Sequence, residues 1–245
     1  HQTMPAKAYM YALPYEAYEK YGVRRYGFHG TSHRYVSRRA CEFLGLDYEK
    51  QRIITCHIGN GASITAIKDG KSVDTSMGLT PTEGLMMGTR SGDVDPGAIV
   101  YLMEQEGLDA AGVSKLINKR SGVAGVTELS SDMRDIEAAV EAGNEKAMLA
   151  LDMYEYRILK YIGAYTAVIG GVDVIVFTGG VGENQTATRE RICKQLAFMG
   201  VTFNAEANKV RGEEIEISGA DSKVHVVVIP TDEEMMIAQD TAALV

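Results

Sequence analysis

Val172-Asp173-Val174-Ile175-Val176-Phe177-Thr178-Gly179-Gly180-Val181-Gly182-Glu183-Asn184 begins as an apolar run and ends as a glycine turn. Apolar residues at both odd and even positions suit a strand covered on both faces, the setting of a parallel sheet. The glycines after Phe177 then turn the chain toward a helix predicted over residues 186–199. Backbone N–H groups at such a turn, with the positive end of the helix behind them, can meet nucleotide phosphate or sugar groups. Tight packing of strand against helix accounts for the glycines equally well. The turn lacks the lysine and serine of a Walker loop and the spacing of a dinucleotide fingerprint, so neither of those folds is indicated.

Working outward, Ala147, Leu151, Tyr154, Ile158, Tyr161, Ile162 and Tyr165 recur at helical spacing and predict one long helix over residues 145–169 with a buried stripe. Downstream, residues 224–229 read as a second buried strand that leads through Pro230 to a final helix. Upstream, Arg52 to Cys56, Ala62 to Lys68 and Lys71 to Asp74 are strand-like runs joined by Gly59-Asn60-Gly61 and Asp69-Gly70. Asn-Gly and Asp-Gly tolerate positive φ, so these joints predict a meander of three antiparallel strands. Helices are expected near 34–44, 97–106, 111–119 and 132–142, and residues 75–97 as a long ligand-facing loop. A meander followed by alternating helices and buried strands is an α/β arrangement, a mixed sheet flanked by helices, with ligand sites where strands end in glycine turns.

The 245 residues, 45% of them hydrophobic, are enough to bury a substantial core. The 25 basic residues against 33 acidic ones give a formal charge of -8, which provides no broad footprint for nucleic acid or an anionic membrane. An anionic ligand must therefore be held locally. Cys41, Cys56 and Cys193 are odd in number and far apart, and read as reduced core thiols. The apolar runs are too short to span a bilayer and no leader pattern opens the chain, so a cytoplasmic protein is expected. The polar opening His1-Gln2-Thr3-Met4-Pro5, with no initiating methionine, reads as the interior of a longer protein.

Four segments carry chemistry. His57-Ile58-Gly59-Asn60-Gly61 at the first hairpin tip lets backbone approach phosphate oxygens closely, although an Asn-Gly pair alone is an ordinary turn. Gly27-Phe28-His29-Gly30-Thr31-Ser32-His33 sets two histidines in a loop of small polar residues. His29 there can donate to an anionic transferring group, and charge stabilisation is the main demand of phosphoryl transfer. Metal ligation by the histidine pair is disfavoured, since no carboxylate or cysteine accompanies it. Arg90 stands alone in Met87-Gly88-Thr89-Arg90-Ser91-Gly92-Asp93-Val94-Asp95; its planar fork suits phosphate or carboxylate, and a structural pair with Asp93 or Asp95 fits as well. In Thr231-Asp232-Glu233-Glu234, Thr231 and Glu234 fit a capping box, which leaves Glu233 free to face a metal ion.

Taken in this order, these segments resemble the acetate kinase family, within the superfamily of acetate and sugar kinases, heat-shock ATPases and actin. The resemblance spans the whole chain. It implies the ribonuclease H-like, nucleotide-binding carboxyl-terminal lobe of a two-lobe enzyme that moves a phosphoryl group between ATP and acetate. His29 and Arg90 match the residues that stabilise the phosphoryl group in flight, here read as two cationic side chains. His57 to Gly61 match the segment that holds ATP phosphates; Asp132, Met133 and Arg134 with Gly180, Val181, Gly182, Glu183 and Asn184 match the segments around adenosine. Glu233 matches a residue that helps hold Mg²⁺, while Phe28 and Pro81 match part of the pocket for the methyl group of the substrate. The resemblance further implies acetate and acetyl phosphate as substrate and product, a homodimer formed through this lobe, and a last helix near 232–245 that belongs with the other lobe. The catalytic aspartate, a substrate-binding arginine and a metal-linked asparagine of the family all fall ahead of His1, so this chain alone is expected to be inactive. Two rivals remain: a propionate or butyrate kinase, and a nucleotide-binding or dimerising module without catalysis.

Overall fold

In the computed structural model, which describes residues 1–244, one six-stranded sheet organises the chain. Its strands are β1 (Arg52–Ile58), β2 (Ala62–Lys68), β3 (Lys71–Thr75), β4 (Val174–Thr178), β5 (Ile215–Glu216) and β6 (His225–Val228), arranged in the order β3-β2-β1-β4-β6-β5. β1, β2 and β3 form the expected antiparallel meander, while β4 lies parallel to both β1 and β6. The helices are α1 (Ala6–Tyr9), α2 (Tyr15–Tyr21), α3 (Gly30–Leu44), α4 (Pro96–Glu106), α5 (Ala110–Lys119), α6 (Gly122–Thr127), α7 (Met133–Glu141), α8 (Glu145–Ile169), α9 (Gly179–Asn184), α10 (Thr186–Gln195) and α11 (Glu233–Leu244).

The central strands are buried on both faces because successive side chains point opposite ways. Ile54, Cys56, Ile58, Ile175, Phe177, Val226 and Val228 face a core built on α8, to which Leu151, Tyr154, Ile158, Ile162 and Tyr165 contribute. Ile53, Val174, Val176 and Val227 face the opposite way, onto Val36, Ala40 and Cys41 of α3. All three cysteines are buried and unpaired.

Several boundaries differ from the sequence-based expectation. α3 starts at Gly30 rather than Arg34, so the segment read as a glycine loop is the first turn of a helix. His29 precedes it at φ 56, a left-handed conformation that breaks the helical pattern locally. His33 is consequently fully buried instead of lying in a loop with little core around it. α6 was not foreseen, because Gly-Val-Ala-Gly-Val-Thr carries no amphipathic period. β5 is only two residues long and left no signal. Residues 76–95 are irregular, much as expected for 75–97, but far from being a solvent loop, since Met77, Leu85, Met86 and Met87 are core residues. The capping box at the last helix is also absent: Asp232 accepts the Met235 N–H at 2.8 Å, while Thr231 turns its hydroxyl to Ser32. α11 packs on α3 through buried Met236 and an Arg34–Asp240 pair at 2.6 Å.

Ile54 is wholly buried at the centre of the sheet. Ile54→Ala is expected to lower unfolding free energy by about 2–5 kcal/mol, read from the urea midpoint with the slope unchanged.

Candidate functional site

In-register parallel pairing of β1 with β4 sets His57 beside Thr178, so the two strands end together. The turns that follow therefore meet: a Cβ placed on Gly59 would lie 3.9 Å from the Gly180 nitrogen. Gly179 adopts φ +77, and a Cβ there would come within 3.0 Å of the Ile58 nitrogen, so this position accepts only glycine without strain. Between the turns and α7 opens a cavity of about 730 Å³. Gly59, Asn60, Asp132, Met133, Arg134, Gly180, Val181 and Asn184, all singled out in the sequence, line it. The remaining walls come from Leu151 and Tyr154 of the stripe read as core and from residues that the sequence did not flag, among them Glu137, Val140, Arg191 and Arg211.

Not every flagged residue reaches the cavity. Ile58 and Gly182 are buried beneath the turns. Glu183 directs its carboxylate onto the Gly179 N–H at 2.8 Å and the Thr231 N–H at 3.2 Å, which takes up one N–H at the amino end of α9 from within. The glycines expected to form a turn before the helix at 186–199 form the six-residue helix α9 instead. Asp132 caps α7 and pairs with Arg134, which holds its carboxyl down at about 2. Glu233 is exposed in the first turn of α11, and no cluster of three or more metal-ligating side chains occurs among the described residues.

His29 and Arg90, 61 positions apart in sequence, converge over the first turn. A Cβ on Gly61 would stand 3.1 Å from Arg90 Nη1 and 3.8 Å from His29 Nε2. The structural pairing considered for Arg90 does not occur. Asp93 accepts from Tyr161 and from the Gly84 N–H, and Asp95 caps α4. Arg90 instead donates Nη1 to the Pro81 carbonyl at 3.1 Å and contacts Met87 Sδ at 3.5 Å, which leaves its Nε and Nη2 without a protein partner among the described residues. Its loop is pinned from outside by α6 and its flank: Val123 N–H donates to Met87 O, and Ser121 N–H to Thr89 O. Phe28, immediately before His29, is half-buried against the main core.

His29 is not cationic at neutral pH. Burial, with His57 and Arg90 nearby, lowers its pKa to about 4. Burial alone lowers His57 to about 4 as well, and the two rings stack at 4.1 Å between centroids with 17° between planes. The expectation of two cations is corrected to one cation, Arg90, beside a pair of neutral imidazoles. Sequence reasoning also missed Arg189, which is fully buried and spends all its N–H groups on carbonyl oxygens. It holds Gly182 O and Glu183 O at the end of α9 and Asn208 and Val210 across from it. An arginine at an internal helix position carries no signal of such a role.

The sequence profile of the Acetokinase family matches residues 1–239. The acetate kinase of Phocaeicola vulgatus is 70% identical over 244 residues, which cover 100% of this chain and 61% of that protein. The crystal structure of Porphyromonas gingivalis acetate kinase superposes with a TM-score of 0.97 at 66% identity, covering 99% of this chain and 61% of that one. A propionate kinase from Francisella tularensis superposes with a TM-score of 0.91 at 42% identity. The chain thus spans about 61% of the length of these relatives.

Depressed imidazole pKa values make stability pH-dependent. His29, His33 and His57 bind protons more weakly folded than unfolded, so the unfolded chain takes up protons first as pH falls below 6.5. Stability is fully present above that value and is lost as pH falls toward about 4. Urea midpoints measured across this window are expected to fall, and His57→Asn is expected to reduce the slope by roughly one proton.

Proposed function

Because this chain belongs to the acetokinase family, we propose that it forms the nucleotide-binding lobe of an enzyme transferring the γ-phosphoryl group of ATP to acetate. An acetate oxygen attacks the γ-phosphorus, the bond to the ADP oxygen breaks with its electron pair, and acetyl phosphate and ADP result; the reverse makes ATP. The convergence of Arg90 and His29 over Gly61 carries this reading. Phosphoryl transfer asks mainly for positioning and for stabilisation of charge spread over the equatorial oxygens. Arg90, with unused donors and no carboxylate to neutralise it, offers a forked cation; neutral His29 offers a directional N–H donor.

The two turns at Gly59 and Gly180 supply the backbone cradle for the triphosphate. A side chain at Gly61 would fill the space that a phosphate oxygen needs between Arg90 and His29. The cavity walled by Met133, Val140, Leu151 and Val181 suits an apolar, flat group such as the nucleoside base. Mg²⁺ commonly takes one or two carboxylates and completes its shell with phosphate oxygens and water. Glu233 is the carboxylate this lobe would offer, and Mg²⁺ held there would neutralise charge on the phosphates.

Acetate is favoured over propionate by the 66–70% identity to acetate kinases, against 42% to the propionate kinase. One extra methylene shifts selectivity only about 1–3 kcal/mol, so the assay compares acetate, propionate and butyrate side by side. Self-association through this lobe is read from the family, and light scattering tests it. No described helix is long and apolar enough to cross a membrane.

In the full-length protein, Arg90→Ala is expected to cut turnover on the order of 10³-fold while the KM for ATP stays within severalfold; near-normal turnover refutes the role. Gly180 has no atom within 4 Å of an added Cβ outside its own neighbours and is exposed, so a side chain there can start toward solvent without a backbone clash. Gly180→Gln is expected to raise the KM for ATP roughly tenfold, ~1.4 kcal/mol, with an unchanged melting temperature.

A further inference from the structure

Two hydrogen-bonded chains run through the polar end of the face between the sheet and α3. In the first, Thr55 Oγ1 lies 2.7 Å from His33 Nδ1, His33 Nε2 lies 2.7 Å from Ser63 Oγ, and Ser63 Oγ lies 2.9 Å from His29 Nδ1. In the second, the Thr231 hydroxyl donates to Ser32 Oγ at 2.8 Å, and Ser32 Oγ lies 2.8 Å from His57 Nδ1. Ser32, His33, Thr55 and Ser63 are buried, so water cannot repair a hydrogen left without an acceptor.

Counting hydrogens fixes the direction of both chains. Each hydroxyl has one hydrogen, and a neutral imidazole has one N–H and one acceptor nitrogen. If Thr55 donates to His33 Nδ1, then His33 Nε2–H donates to Ser63, Ser63 donates to His29 Nδ1, and the ring hydrogen of His29 sits on Nε2. Every interior hydrogen is used, and the one left over is on His29 Nε2, the atom 3.8 Å from a Cβ placed on Gly61, beside Arg90 Nη1 at 3.1 Å from the same point. Run the other way, the chain leaves the Thr55 hydroxyl hydrogen with no acceptor among the described residues, at a cost greater than any other arrangement here imposes. In the second chain buried Ser32 accepts from Thr231 and has His57 Nδ1 as the one acceptor for its own hydrogen among the described residues, so that hydrogen goes to His57 Nδ1. His57 therefore also carries its hydrogen on Nε2.

We infer that Ser63 and Ser32 are positioning residues that lock His29 and His57 in the Nε2–H tautomer, so that the stacked pair presents two neutral N–H donors to the phosphates. Which imidazole nitrogen carries the hydrogen is set by the partner at the other nitrogen, and His29 without Ser63 exchanges between a donor and an acceptor at the cleft. Neutral donors suit this place, because a second cation stacked at 4.1 Å would repel the first. The inference rests on the phosphoryl-transfer reading for its purpose, although the tautomers themselves can be read without any substrate.

The test is ¹⁵N NMR of histidine-labelled full-length protein at neutral pH, with rings assigned through His29→Asn and His57→Asn. The expected result is Nε2–H signals for both rings, and an Nδ1–H signal at either overturns the inference even if acetate kinase activity is intact. Ser63→Ala is then expected to move His29 to a mixture of tautomers and to lower kcat roughly 10–100-fold with little change in the KM for ATP. Ser63→Thr, which restores the hydroxyl, is expected to recover both. A Ser63→Ala protein that keeps the pure Nε2–H signal overturns the assignment of Ser63, as does one with parent turnover. A protein with the expected tautomers but no phosphorylation of any short carboxylate refutes the proposed reaction and leaves the tautomer assignment standing.

Discussion

Parallel pairing between β1 and β4, in register through His57 and Thr178, is the constraint from which the site follows. A shift of one residue would reverse which side chains meet α3 and α8, exchanging Ile53 and Thr55 for Ile54 and Cys56. It would also separate the two glycine turns, whose close approach leaves no room for a Cβ at Gly179. The apolar residues that fix the register are thus the same ones that aim the turns at each other. Stability and site geometry share one cause.

The α3 face of the sheet changes character along its length. At the lower end Ile53, Val174 and Val176 pack on Val36 and Ala40. At the upper end Thr55, His57 and Ser63 meet Ser32 and His33. Burying such a polar layer is costly unless each group finds a partner, and here the partners are shared in chains rather than pairs. The result is a set of imidazoles held neutral and fixed in orientation, with Arg90 as the local positive charge. In a chain whose formal charge is -8, positive charge at this site is local, from Arg90 over Gly61 and from Arg134, Arg191 and Arg211 around the cavity.

Support for these groups comes from a distance. α6 ties down the Arg90 loop through backbone bonds to Met87, Gly88 and Thr89. Arg189 anchors the far end of α9, and Glu183 accepts the Gly179 N–H at its near end. The site is thus held by ordered backbone on both sides, the preorganisation that charge stabilisation requires.

Periodicity made the long helix at 145–169, the meander and the two buried strands legible in the sequence, because a buried stripe or a two-faced strand leaves its mark in residue order whatever it packs against. The glycine turn at 59–61 was legible too, and so was the need for glycine at Gly179, where backbone approaches closely, although residues 179–184 form the short helix α9 rather than a turn. What residue order could not show was which polar groups meet. His33 looked like a loop histidine because the left-handed His29 and the small residues after it disguise the start of α3. Arg90 looked ready to pair with Asp93 or Asp95, yet both are taken by other partners. The charge state of His29 was misread for the same reason: burial and neighbours set a pKa, and they arrive only when β1, β2 and α3 pack together. Local patterns specify elements; contacts between residues far apart in the chain exist only once the register is set, and the chemistry of this site lies in those contacts.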